Sequence, residues 1–131
     1  MSNLKSISFT PEYVQSKLFY FHDAAHKFHL DTRSYAEHKA LDILYNDMVG
    51  FKDTICELMI GYMNGKRIGK LKLEEVPEYN SSESIKLTNN VKDFSYELEK
   101  WAEQNKYCDI ENTAQSLSGL ASKVSYLLTL T

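Results

Sequence analysis

Five side chains able to ligate a metal, His26, His38, Asp42, Asp53 and Glu57, follow one another at steps of twelve, four, eleven and four residues. His38 with Asp42, and Asp53 with Glu57, stand four apart, the spacing that sets two side chains one above the other on a helix. Asp42 and Asp53 are eleven apart, which returns them to within about 20° of the same helix face. By the rise of an α-helix they are nevertheless about 16 Å apart, and His38 and Glu57 nearly 30 Å, so no single ion reaches both ends. The pairs 38/57 and 42/53 share one midpoint, between residues 47 and 48. Positions related in this way face each other when two copies of one helix cross antiparallel about a twofold axis at that midpoint. Two half-sites on one chain then become two whole sites per dimer, so the spacing points to a metal site assembled between subunits. Asp and Glu four apart also form plain solvated helix faces, and a lone histidine is more often structural than ligating. Only the joint spacing of the five sets them apart from such faces.

The elements that must carry these residues are helical. Thr10 can cap a first helix, Pro11 suits its first position, and Phe9 with Val14 can staple its start. Val14, Leu18, Phe21, Ala25 and Phe28 then make an apolar stripe, with His22, His26 and His29 on an adjacent face. Ser34 and Glu37 read as a capping box opening a long second helix that ends at Asn64-Gly65. Leu41, Leu44, Met48, Phe51, Ile55, Leu58 and Tyr62 supply its core stripe. Tyr45, Val49, Cys56 and Ile60 make the acid-bearing face partly apolar as well, which suits a helix buried on two sides, one of them against a partner. Residues 65 to about 82 read as a connection crossing the end of the bundle, with room for a short helical turn. Its Lys66, Arg67, Lys70 and Lys72 read as a solvated loop rather than a phosphate contact, because Glu74 and Glu75 follow. Val91, Phe94, Leu98 and Trp101 mark a third helix, and Asp109 is the expected cap of a fourth, with Ile110, Ala114, Leu117, Leu120, Val124 and Leu127 inside. The expected helices span roughly 11–30, 35–64, 83–105 and 110–130. One all-α domain over 1–131 follows, a four-helix bundle of ferritin-like topology with its long connection between helices 2 and 3.

Composition narrows the function. The 131 residues carry a net charge of −3, which argues against DNA binding through phosphate neutralisation. No apolar run approaches the ~20 residues needed to span a bilayer, so no membrane partner is expected. The opening MSNLKSISFTPEY has neither the basic start nor the apolar core of a signal peptide. Two cysteines, Cys56 and Cys108, are too few for a disulfide scaffold and read as reduced thiols of a cytoplasmic protein. Richness in Lys, Asn, Ile and Tyr suggests an AT-rich genome, so the compartment expected is a bacterial or virus-infected host cytoplasm.

The stretch AHKFHLDTRSYAEHKALDILYNDMVGFKDTICE, Ala25 to Glu57, resembles without a gap the ferroxidase segment of the Dps-type mini-ferritins, the DNA-protecting proteins of starved bacteria. His26 matches the family's first histidine, His38 the second, Asp42 the acid four further on, and Asp53-Thr54-Ile55-Cys56-Glu57 its Asp-Thr-x-x-Glu element. CDIENTAQSLSGLASKVSYLL resembles the family's last helix. The resemblance implies that His26, His38 and Asp42 of one subunit meet Asp53 and Glu57 of its partner, and that these five are both the metal ligands and the catalytic residues. It implies oxidation of Fe(II), preferentially by hydrogen peroxide, and storage of ferric iron in a hollow homo-oligomer of twelve subunits, a dodecamer. Imidazole with carboxylate suits Fe(II), and also Zn or Mn. Lys27 stands where the family commonly has Trp, and Leu58 where it has Arg. The chain also lacks the Lys-rich tail of DNA-binding members. The competing reading is a non-enzymatic interaction protein on the same fold with a vestigial metal site. His22 and His29 read as surface or core-edge residues outside the site.

Overall fold

The computed structural model describes residues 9–131, so expectations for residues 1–8 lie outside it. Four helices carry the chain: α1 (Pro11–Asp31), α2 (Tyr35–Tyr62), α3 (Glu83–Gln104) and α4 (Cys108–Leu128). No strand occurs among the described residues. Each helix starts or stops for a local reason. The Thr10 hydroxyl accepts from Tyr13 N–H at 3.1 Å, and Pro11 follows it. Ser34 Oγ accepts from Glu37 N–H at 3.1 Å. Asn64 and Gly65 both take positive φ, 58° and 86°, and Gly65 N–H returns to the Ile60 carbonyl at 2.8 Å, which stops α2 two residues before the expected Asn64. Lys106, at φ 61°, does the same for α3, with Tyr107 N–H donating to Ala102.

The apolar stripes meet in one core. Val14, Leu18, Phe21, Ala25 and Phe28 of α1 are buried, as are Leu41, Leu44, Met48, Ile55 and Met59 of α2. Burying each larger side chain stabilises the fold by about 1.5–3 kcal/mol before entropy is subtracted. α1 and α2 are antiparallel neighbours: Lys52 lies 4.2 Å over the Phe19 ring, and His26 stacks on Tyr45 at 4.4 Å. α3 and α4 are a second antiparallel pair, tied by Gln115 to Glu99 at 2.7 Å and by Lys92 to Ser122. Phe21 meets Phe94 edge-on at 5.4 Å, which packs α1 on α3, while α2 packs on α4. Phe9 lies against Tyr13, Phe94 and Trp101, covering that end of the core.

The connection between α2 and α3 contains no helix and runs along α1 rather than over the bundle's end. Gly69 N–H donates to the Glu12 carboxylate at 2.9 Å, Lys72 N–H to Ser16 at 3.0 Å, and Lys17 pairs with Glu74 at 2.8 Å. At the far end the Tyr79 hydroxyl reaches Thr32 and Glu37. The strap thus travels the length of α1, so α3 starts beside the start of α2 and runs parallel to it. The Gly69 amide beside Glu12 holds that carboxyl below its ordinary value. A lowered folded pKa adds stability above the unfolded value, and that stability is lost as pH falls through the folded value. Glu12→Gln should therefore flatten the acid limb of a stability-versus-pH curve, with its loss of stability seen at neutral pH and vanishing below the folded value.

Two local expectations are corrected. Glu37 does not close a capping box: Thr32 Oγ1 accepts from Ser34 N–H instead, at 3.2 Å, and the Glu37 side chain turns inward. Asp109 is not the cap of the last helix. Tyr107 holds that position without a side-chain bond, and Asp109 faces the Tyr62 hydroxyl at 3.4 Å.

Candidate metal centre

All four histidines of the chain fall in one cluster between α1 and the first half of α2. Ring centroids step from His22 to His26 at 6.3 Å, to His29 at 6.1 Å, and to His38 at 3.8 Å. Tyr45 lies against the first three, and Tyr35 stacks beyond His38 at 6.4 Å. The cause lies in the α1 sequence: the histidines at 22, 26 and 29 occupy the flank of the buried stripe that turns towards α2. Burial and the charge of Lys52 push the His22 imidazole below its ordinary value.

His38 is half-buried, and its Nδ1 lies 2.9 Å from the His29 carbonyl. A carbonyl only accepts, so Nδ1 carries the proton and the neutral ring keeps its Nε2 lone pair free for a ligand. His26 is exposed and uses its face on Tyr45. Lys27, its neighbour, pairs with Asp31 one turn on, which draws the cation towards an acid. Asp42 is half-buried, and its Oδ1 accepts from Asn46 at 3.0 Å. Asp53 and Glu57 are exposed at the other end of α2, and neither forms an ion pair among the described residues. Glu57 edges a groove of about 280 Å³ with Leu58, Gly61, Tyr62 and Asp109.

The structure therefore brings His26 and His38 into one cluster, with Asp42 one helical turn beyond His38, and leaves Asp53 and Glu57 apart from it. Among the described residues no three His, Cys, Asp or Glu side chains converge to hold an ion within one chain. The partly apolar outer face of α2 is covered in part by its own chain: Tyr45 by the histidine rings, and Cys56 by α1 near Gln15, where burial pushes the thiol up. Val49 remains 46% exposed close to the midpoint of the ligand spacing.

Two features of this region leave no signal in the ligand spacing. One is His29, buried against His38. The other is the Glu37 carboxylate, 6% exposed, which accepts from Tyr79 at 2.8 Å, Ser84 at 2.6 Å and Thr32 at 3.0 Å. Tyr79 and Ser84 lie more than forty residues away, and no local pattern joins them to Glu37. Burial, and next the Glu37 carboxylate, push the Tyr79 hydroxyl above its ordinary value, against the lowering effect of Thr32.

Among known proteins, a 14.6 kDa protein of Enterobacteria phage T4, described as uncharacterized and encoded in the mobD-ri intergenic region, is similar to this chain. It is 27% identical over 113 residues, covering 85% of this chain and 78% of that protein. No solved structure matches the chain. The pattern of the family of unknown function DUF5856 matches residues 29–128. That span takes in His29, His38, Asp42, Asp53 and Glu57, and leaves out His26. The chain belongs to the DUF5856 family.

Proposed function

We propose that this protein is a ferritin-like, Dps-type ferroxidase that binds Fe(II) at sites shared between two subunits, oxidises it and stores the ferric product. The observation that carries the reading is the division of donors along α2: an imidazole with a free Nε2 at one end and unpaired carboxylates at the other. An antiparallel partner α2 crossing near residues 47 and 48 would bring Asp53 and Glu57 of one copy to His26, His38 and Asp42 of the other. The topology supports the same reading, because ferritin-like bundles also join two antiparallel helix pairs by one long connection. Mixed nitrogen and oxygen donors hold Fe(II), and would take Zn or Mn in its place. In the reaction two Fe(II) ions each give one electron, and hydrogen peroxide takes both electrons with two protons to leave two waters. The ferroxidase would protect its host cytoplasm from oxidative damage, with the twofold dimer as the unit of a dodecameric store.

The competing reading is an interaction protein with a vestigial site. The Asn46 amide on Asp42 favours it, since that bond occupies a carboxylate oxygen the metal would use. Anaerobic titration with Fe(II), followed by a peroxide pulse read by absorbance and light scattering on the same sample, separates the two. Saturable binding, rapid oxidation and a mass near twelve subunits are the expected results. Binding no stronger than that of a His38→Ala control would sink the ferroxidase reading and leave the interaction protein.

A further inference from the structure

His29 is the most buried of the four histidines. Its carbonyl lies in the last turn of α1, where main-chain acceptors have no amide within the helix to receive from. The His38 Nδ1–H fills that vacancy at 2.9 Å, and the His29 Nδ1–H donates back to the His38 carbonyl at 3.0 Å. The exchange is reciprocal, so both neutral rings carry their proton on Nδ1 and both keep a lone pair on Nε2. No buried side-chain nitrogen or oxygen among the described residues lacks a partner, and no hydrogen bond there uses either Nε2.

Two free Nε2 atoms raise the question of which one binds. The rings are stacked with centroids 3.8 Å apart and planes 21° from parallel. An imidazole lone pair lies in the ring plane, and planes this close to parallel meet only about 10 Å away, several times a metal–nitrogen bond of about 2.1 Å. One ion cannot serve both rings. His38 is the more accessible of the two and shares its face of α2 with Asp42.

We infer that His29 is a positioning residue for the metal ligand His38: it fixes the His38 tautomer and ring orientation through the paired imidazole–carbonyl exchange, and does not itself bind the ion. The inference rests on the reading of His38 as a ligand given above. The exchange also ties the end of α1 to the first turn of α2, so the ligand is set by the same bonds that close the helix pair. A hydrogen-bonded partner of this kind typically changes metal affinity by about 10–100-fold.

The test uses the full chain labelled with 15N-histidine, metal-free and at mildly alkaline pH, observed by long-range 1H–15N correlation and then titrated with redox-silent Zn(II). In the native protein His38 should show a single Nδ1–H tautomer, and Zn(II) should shift its Nε2 while leaving the His29 nitrogens in place. His29→Phe keeps a stacked ring and the carbonyl but loses the returning donor. It should leave the His38 Nδ1–H tautomer, which the carbonyl holds, and weaken Zn(II) about tenfold as the ring loses its fixed orientation. His29→Asn, which keeps an N–H donor near the same place, should restore the affinity. A native His38 protonated on Nε2, an unchanged Zn(II) affinity in His29→Phe, or a Zn(II) shift on His29 would each overturn the assignment of His29 alone. Zn(II) that moves no histidine nitrogen would overturn the metal reading together with this role.

Discussion

Mixing His38→Ala chains with Asp53→Ala chains should restore Fe(II) binding that neither variant shows alone. Each variant by itself loses one donor from both sites of its dimer, and removing a direct ligand should weaken binding by at least the ~100-fold typical of strong outer-shell effects. In a mixed dimer the His38→Ala chain still supplies Asp53 and Glu57, and the Asp53→Ala chain still supplies His26, His38 and Asp42. One of the two sites is then whole. Random pairing makes half of the dimers mixed, so the mixture should recover about a quarter of the native binding capacity. A site contained within one chain predicts no recovery at all. Anaerobic Fe(II) titration of the two variants, unfolded together and refolded together, reads the difference directly. An absence of recovery, with mass measurements showing that mixed dimers form, would end the shared-site proposal.

Glu37→Ala should lower the free energy of unfolding by about 3 kcal/mol, the largest loss expected from a single polar substitution here. The carboxylate is nearly sealed from water and accepts from Tyr79, Ser84 and Thr32, which belong to the strap, α3 and the α1–α2 turn. Hydrogen bonds to a charged acceptor contribute about 1.5–3 kcal/mol each, and orphaned buried donors cost about 1–3 kcal/mol. Relief from burying a charge offsets part of that sum. Tyr79→Phe should cost nearer 1 kcal/mol, because Ser84 and Thr32 still satisfy the carboxylate. Urea unfolding of the two single variants and the double variant gives the coupling, expected at about 1 kcal/mol or more for groups in direct contact. A Glu37→Ala loss within the ~0.5 kcal/mol typical of surface substitutions would show that the cluster does not hold the strap.

The two predictions divide between what the sequence exposes and what it hides. The α1 stripe from Val14 to Phe28, the Thr10 and Ser34 caps, and the Asn64-Gly65 stop were legible because each depends on residues within one or two turns. The same holds for the spacing on α2: helical geometry alone sets His38 with Asp42, and Asp53 with Glu57, one turn apart on the helix. Local reading went wrong at Glu37 and Asp109, where a motif was present but the side chain meets a distant partner instead. Glu37 had the spacing of a capping box, yet Tyr79 and Ser84 gave its carboxylate better-shielded donors. Asp109 had the residue type of a cap, yet its carboxylate faces the Tyr62 hydroxyl at the end of α2.

By itself, then, the sequence determined four helices, their buried faces and the position of each candidate ligand along α1 and α2, since all of these follow from periodicity and near-neighbour hydrogen bonds. Only the tertiary structure decided that the strap follows α1 from Glu12 to Thr32 and that α3 therefore runs parallel to α2. It also decided that His29 stacks on His38 and that Glu37 anchors the strap. Those outcomes depend on which distant donor satisfies a buried acceptor, and on which ring fills the space between two helices. Both are settled when the core closes, because a buried polar group must find its partner there or bear the cost of desolvation.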